Sequence, residues 1–288
     1  MNAHVEAAIC KMPLRARRWA LFVCSIRRIP HFRSPRTLSE KINWRILNDR
    51  RPLLEWTCDK VAMKDRASNC PGIRVPSTLW AGTDLQELTS AVLPEHWVLK
   101  PNHRSGLIHF GHGRPDIEQL SALTVNWLRP VEAEKFGEWA YSKARAMFLA
   151  EEVLGNAGSP PRDYKFLVFD GDVAVIEVDV GRFTGHQLRF YLPDWSPLEV
   201  QAGAYPLAPL EPPPARLDRM LRAAADLGSG FDFMRVDLYS TGGEVYFGEV
   251  TPYPASGIAP FVPAAFDAEL GDRWTLPTPS SFTSARRR

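Results

Sequence analysis

The sequence predicts an α+β protein in which helices sit beside antiparallel sheets. Three observations carry this. "DYKFLVFDGDVAVIEV" reads as a strand, a tight turn and a second strand, a hairpin pattern. "FDFMRVDLY" and "VYFGEV" form another strand pair, joined by "STGGE", whose two glycines are a hairpin signal. Helical stretches such as "LDRMLRAAADLG" lie between the hairpins without the strand–helix–strand alternation of a parallel sheet. No internal repeat is present. The 288 residues suffice for one large domain or two lobes, and 45% hydrophobic with 24% charged residues is ordinary for a globular chain.

The elements follow in order. Residues 1–35 read as helical and basic, ending in "IPHFRSPR". Between Arg15 and Arg51 arginines are frequent and acids few, which suits a solvated surface, an anionic ligand or a membrane surface. "WALFVCSI" is too short to span a bilayer, and arginines rather than a small-residue cleavage site follow it. An interfacial amphipathic helix over Arg15 to Arg28 is compatible with this pattern. "TLSEKINWRILNDRRPLLEW" has helical periodicity with Ile42, Ile46 and Leu47 on one side and Thr37 or Ser39 as cap. "CDKVAMKDRASN" continues as helix and stops before "CPG". "WVLKP" is a short strand, followed by the glycine- and histidine-bearing loop "NHRSGLIHFGHG". Residues 116–128 and 131–150 read as helices, and "MFLAEEVLG" leads from a helix or strand into a loop closed by "NAGSPPR". A proline-rich connector, "YPLAPLEPPPARL", precedes the last helix and the final hairpin. The tail "SARRR" is expected to be disordered.

Composition excludes some functions. A net charge of +2 gives no global case for nucleic acid. Cys10, Cys24, Cys58 and Cys70 fit neither a metal spacing nor a disulfide framework, and read as reduced cytosolic thiols.

The chemistry concentrates at the final hairpin. Strand alternation puts Val245, Phe247, Glu249 and Thr251 on one face, a carboxylate among apolar residues. Asp237 and Glu249 are twelve residues apart, so an odd-length loop centred on Gly243 sets them opposite each other. Opposed like charges destabilise a sheet unless a cation lies between them, and hard oxygen ligands suit magnesium. Arg235 and Thr251 share the same faces. The competing reading is a solvent-facing edge hairpin with scattered charges. Lys100, at a strand end before a small-residue loop, can hold a phosphate. Lys60 and Lys64 lie at i, i+4 on one helix face, and Glu151 and Glu152 stand beside apolar residues at a segment junction. Asp163 and Lys165 open a strand that reads equally well as exposed.

The order of these pieces resembles the ATP-grasp superfamily. The hairpin is similar to that of D-alanine–D-alanine ligases, with arginine–x–aspartate on one strand and glutamate–x–asparagine on the next. The nearer resemblance is to the TupA-like ATP-grasp group, named for teichuronopeptide synthesis. It is carried by "SEKINWRILNDRRPLLEWTCDK", "WVLKPNHRSG", "DYKFLVFDG", "RVDLY" and "YFGEVTPYPASG", and covers roughly Phe32 to Trp274. The resemblance implies two α+β lobes with antiparallel sheets gripping a nucleotide: a basic helical region over 1–58, an N-terminal and central lobe over 59–152, and a C-terminal lobe with the metal-binding hairpin over 153–288. It implies that Lys60 and Lys100 hold ATP phosphates under the loop Asn102, Ser105 and Gly106. Glu151, with Glu152 and the backbone near Val153, would meet adenine. Asp163 would meet the ribose, with Lys165 beside it. Asp237 and Glu249 would bind magnesium, Arg235 would face the transferred phosphoryl group, and Gly257 would bring backbone close to the reacting carboxylate. Thr251 departs from the asparagine common at its position, though a hydroxyl can ligate the ion or hold its water.

The implied reaction is ATP-dependent joining of a small-molecule or glycan-linked carboxylate to an amine through an acyl phosphate, in the cytoplasm or at the inner face of the membrane, with the arginine-rich N-terminus as peripheral contact. Rival readings are a phosphotransferase acting on a sugar or lipid hydroxyl, a glycosyltransferase using the "DGD" of Asp170 to Asp172, and an inactive ATP-grasp adaptor. His103, Arg104, His109, His112, Arg182 and Arg189 are further candidates for contacts with anionic substrate groups.

Overall fold

The computed structural model describes residues 9–155, 161–182 and 185–278. The expected disorder of "SARRR" and part of the "NAGSPPR" loop lie outside them. The basic N-terminus supplies helix α1 (Leu14–Ile26). Helix α2 (Leu38–Asn48) begins at Thr37 with a capping box, in which Thr37 Oγ1 accepts from Glu40 N and Glu40 Oε2 accepts from Thr37 N. Helix α3 (Lys60–Ala67) is capped by Asp59, which accepts from Ala62 N at 3.0 Å.

Two antiparallel sheets follow. The smaller contains β1 (Thr78–Gly82), β2 (His96–Pro101), β3 (His109–His112) and β4 (Phe148–Glu152) in the order β1-β4-β2-β3. Trp97, Leu99 and Phe148 pack with Leu120 of α4 (Ile117–Leu123) into a separate small core. The helix expected over 116–128 is therefore shorter. The helix expected over 131–150 is absent: it is replaced by short turns at Glu132–Phe136 and Trp139–Lys143 and then by β4. Gly137 breaks the run in a left-handed conformation, and Phe148, Leu149 and Ala150 are buried between β1 and β2, so sheet pairing overrides helical propensity there.

The larger sheet runs β11-β10-β5-β6-β7-β8, built from β5 (Asp163–Phe169), β6 (Asp172–Val180), β7 (Gln187–Tyr191), β8 (Pro197–Leu198), β10 (Met234–Thr241) and β11 (Glu244–Thr251). A small ladder joins β9 (Gln201–Ala202) to β12 (Phe261–Val262). Helix α5 (Leu217–Gly228) covers one face, with Met220, Ala223 and Ala224 in the same core as Phe166, Val168, Val236 and Leu238. Helix α2 lends Leu38, Ile42 and Ile46 to this core, and α6 (Ala265–Asp272) adds Phe266 and Leu270. "DGD" is the β5–β6 turn, with Asp170 and Gly171 at positive φ and Asp170 and Asp172 exposed.

The final hairpin departs from expectation in an instructive way. Thr241 pairs with Glu244, so only Gly242 and Gly243 form the turn, both at positive φ; the loop is even, not odd. An unbroken even register would separate Asp237 from Glu249. They are nonetheless paired, because Gly248 is an extra residue in β11, a β-bulge between the Leu238–Phe247 and Asp237–Glu249 pairs. The bulge also exchanges the faces. Val245 and Phe247 before it and Val250 after it all lie in the large core, while Glu249 and Thr251 turn to the opposite face with Arg235 and Asp237. The expected common face of Val245, Phe247, Glu249 and Thr251 is thus corrected: the carboxylate is not on an apolar face. A Cβ at position 248 would lie 2.9 Å from the Asp237 carbonyl oxygen, so the close approach requires glycine. The free edge of β11 is covered by Arg74, whose N–H donates to Val245 O and whose carbonyl accepts from Phe247 N, both at 2.8 Å.

Candidate functional site

The non-core face of the large sheet carries a continuous set of charges. Arg235 donates to both oxygens of Asp237, from Nε at 2.7 Å and Nη2 at 2.8 Å, and Nη2 reaches Glu249 Oε1 at 3.2 Å. Thr251 Oγ1 lies 3.4 Å from the same Glu249 oxygen. The cation that relieves the opposed carboxylates is therefore Arg235, two residues along the same strand as Asp237. Burial, reinforced by neighbouring Asp163 and Glu249, pushes Asp237 up to about 8 against the pull of Arg235. Burial also acts upward on Glu249, but Lys60, Arg235, Arg182 and Lys100 together hold it below its ordinary value. Among the described residues, no group of three His, Cys, Asp or Glu can hold a metal ion. Asp237, Glu249 and Thr251 still suit magnesium, which takes one or two carboxylates and completes its shell with phosphate oxygens and water.

The next strands extend the set. Asp237 lies beside Lys165, which lies beside Glu177, and Tyr239 lies beside Asp163, which lies beside Asp179. Lys165 Nζ donates to Glu177 Oε1 at 3.1 Å and to Asp179 Oδ2. Burial disfavours its charge, but Glu177, Asp163 and Asp179 outweigh this and raise it above the ordinary lysine range. Asp163 is buried and accepts from Arg182 Nη1 at 2.8 Å. The reading of Asp163 and Lys165 as an exposed strand start is corrected: β5 is central, and both are buried on the charged face.

From the small sheet and α3 comes a second group. Glu151, in the strand neighbouring that of Lys100, accepts from Lys64 Nζ at 2.9 Å and pairs with Lys100 Nζ at 2.5 Å. Burial opposes its charge, yet Lys100 and Lys64 keep its carboxyl below the ordinary value. Its side chain thus orients two lysines. Glu152 Oε1 is likewise taken up by Ser77 N at 2.7 Å, and Val153 lies half-buried just past β4. Lys60 Nζ donates to Arg104 O at 2.5 Å, and burial lowers its pKa while Glu249 and Glu151 support its charge. Lys60 stands near enough to Lys100 of the small sheet and Glu249 of the large one for each to act on its charge.

Asn102 is fully buried; its side chain accepts from Val61 N at 3.0 Å and donates to Arg145 O at 2.9 Å, so it ties the end of β2 to the first turn of α3. Ser105 and Gly106 are exposed, with Gly106 at positive φ and Ser105 N bonded to Glu132 Oε1 at 3.2 Å. Gly257 ends a turn in which Ala255, Ser256 and Gly257 all have φ between 45° and 60°. Such backbone is costly for the non-glycine residues and persists because its surroundings fix it. Asn43 Nδ2 donates to Gly257 O at 2.7 Å, Arg18 donates to Ser256 Oγ at 3.0 Å and to Ser256 O, and Arg18 in turn holds Asn43 Oδ1. Arg45 donates to Phe233 O at 2.8 Å and Pro252 O at 3.2 Å, bracketing β10 and β11.

Sequence reasoning passed over Glu177, Asp179, Arg45 and Asp59 as functional or positioning residues. The first two had a signal: "VAVIEVDV" places acids two apart on one face of a strand otherwise rich in valine. Arg18, Asn43 and Arg45 gave none, because the partners that tie them to the final turn and hairpin are remote in sequence.

The TupA-like ATPgrasp family profile matches residues 40–275. No curated protein matches this sequence. Similar solved structures include D-alanine–D-alanine ligase from Bacillus anthracis complexed with ATP, at 17% identity and a TM-score of 0.42, covering 82% of this chain and 65% of that one. The D-alanine–D-alanine ligase from Helicobacter pylori has 16% identity and a TM-score of 0.41, covering 78% and 60%. The ATP-grasp ligase PsnB complexed with its minimal precursor has 15% identity and a TM-score of 0.37, covering 70% and 54%. This chain spans less than two thirds of the length of each of these proteins. Since the family match runs through both sheets and ends only at Thr275, the chain belongs to the TupA-like ATP-grasp family.

Proposed function

We propose that this chain is an ATP-dependent carboxylate–amine ligase working through an acyl phosphate. The observation that carries the reading is the chain of charges in which Glu151 pairs with Lys64 and Lys100, Lys60 acts on Lys100 and Glu249 alike, and Arg235 bridges Asp237 and Glu249. ATP with magnesium, when bound, supplies the phosphoryl group that activates the carboxylate. Lys60 and Lys100 hold the phosphates, and Glu151 sets the direction of Lys100 and Lys64. The loop through Ser105 and Gly106 covers them, and the backbone of Val153 takes the adenine edge, with Asp163 toward the ribose. Asp237, Glu249 and Thr251 offer the metal its protein oxygens. Arg235 meets the phosphoryl oxygens and the carbonyl oxygen as charge develops on them. Gly257 closes the far side of the reacting carboxylate.

In this reading residues 59–152 form the N-terminal and central lobe and 153–288 the C-terminal lobe, with α2 of the basic region 1–58 packed into the latter's core. The family's link to teichuronopeptide synthesis supports a role in cell-surface polysaccharide or peptide-conjugate assembly in the cytoplasm. Exposed Arg27, Arg33 and Arg36 beside exposed Trp19 and Ile29 support peripheral contact with an anionic membrane. Among the described residues, no helix is long and apolar enough to cross one.

Hydroxylamine trapping tests the reaction. With ATP, magnesium and a pool of N-acetyl amino acids and uronic acids, the wild type is expected to yield a hydroxamate, and Glu249→Gln and Arg235→Lys to yield at least tenfold less. A phosphorylated sugar with no hydroxamate would favour a phosphotransferase; nucleotide binding without any product would favour an inactive adaptor.

A further inference from the structure

A cavity of about 100 Å³ opens beside Arg235, between the charged face of the large sheet and the turn at Pro254–Gly257. Leu38 and Ile42 of α2 and Leu167 and Leu188 of the sheet make its apolar walls. The volume holds several water-sized groups, enough for the head of a small substrate. Two charged side chains line it, Arg235 and Glu177. They are close enough for Glu177 to favour the charge of Arg235. A guanidinium beside a carboxylate in a pocket whose other polar side chains are Ser39 and Tyr205 matches a ligand group that is anionic toward Arg235 and one that is cationic toward Glu177. Arg235 serves the phosphoryl group, whereas Glu177 has only its pairing with Lys165.

Glu177 is also replaceable without collapse of its neighbour. It shares Lys165 with Asp179, so Lys165 keeps an anionic partner when Glu177 is changed. We propose that Glu177 receives the acceptor nitrogen in its ammonium form, making this cavity the acceptor subsite and the acceptor a small aliphatic amine protonated at neutral pH. The proposal rests on the ligase reading and deepens it. It separates amine from hydroxyl acceptors physically: a hydroxyl gains one neutral hydrogen bond from Glu177, whereas an ammonium gains a charge-assisted one.

The test uses the full chain and two small probes alike in size, ethanolamine and ethylene glycol. Each is titrated by calorimetry and by thermal shift into wild type, Glu177→Gln and Glu177→Asp, with magnesium and a non-hydrolysable ATP analogue present. Ethanolamine should stabilise the wild type and ethylene glycol should not. Glu177→Gln should bind ethanolamine at least tenfold more weakly with unchanged nucleotide affinity, and Glu177→Asp should recover part of the loss. Equal ethanolamine affinity in wild type and Glu177→Gln would overturn the proposal, as would nucleotide binding in a wild type that ignores the amine. Glu177-dependent amine binding in a protein that ignores the nucleotide would overturn the ligase reading itself, and the acceptor role with it.

Discussion

At the residue scale, Gly248 decides whether a site exists. It is the single extra residue that brings Glu249 opposite Asp237 and turns it away from the core that holds Val245 and Phe247. Gly248→Ala should cost about 1–3 kcal/mol, because its methyl group meets the Asp237 carbonyl. It should also lower ATP-dependent turnover more than the stability loss explains, as comparison of urea unfolding with initial rates will reveal. Unchanged turnover would mean that the bulge does not set Glu249. Glu138 makes a second residue-scale case. Burial pushes it from its ordinary 4.5 up to about 7, against the pull of Ser256 and Arg18. Its folded pKa is raised, so the stability it contributes is present below about 4.5 and is lost as pH rises through about 7. The loss is at most roughly 3 kcal/mol. Melting curves from pH 5 to 8 should fall for the wild type and flatten for Glu138→Gln; parallel curves would contradict this. The residues Asp237 and Glu249 were legible in the sequence, but their pairing followed there from an odd-length loop that the hairpin does not have. The bulge was not legible, because a glycine three residues before a strand end carries no mark of a register change.

At the element scale, the account turns on how α3 and β5 are held. Asn102 ties β2 to the first turn of α3, directly beneath Lys60. Asn102→Ala leaves half-buried backbone groups of Val61 and Arg145 without their partner and should cost about 1–3 kcal/mol. It should also weaken ATP binding by loosening the first turn of α3, which carries Lys60; calorimetry on the folded variant checks this. Helix α2 is pinned by Arg45, fully buried between Asp232 and the carbonyls that flank β10 and β11, so Arg45→Ala should destabilise by about 3–5 kcal/mol in urea unfolding. The capping box at Thr37, the "DGD" turn and both large hairpins could be read from local sequence, since caps and turns are local chemistry. Strand β4 could not: "MFLAEE" follows a helical pattern until Phe148 to Ala150 are buried between two strands far away in the chain. For the same reason Lys165 read as exposed, since only the sheet order makes β5 central.

At the scale of the whole molecule, two sheets have separate cores, and the charged residues assigned to the site come from α3, β2, β4, β10 and β11. The order of motifs along the chain made this architecture legible even though each motif alone was weak. What stayed hidden was which charges are already partnered. Lys100 was expected to await a phosphate and instead pairs with Glu151, which keeps Lys64 if Lys100 is removed. Lys100→Ala should therefore fold normally and lose one charge-assisted contact with the nucleotide, worth about 1.5–3 kcal/mol, or roughly ten- to a hundredfold in affinity. Titration of ATP with magnesium into wild type and Lys100→Ala, with melting temperatures recorded alongside, tests the central claim most directly. The account predicts saturable, magnesium-dependent binding to the wild type and at least tenfold weaker binding to a variant of equal melting temperature; equal affinities, or a wild type that binds no ATP, would contradict it.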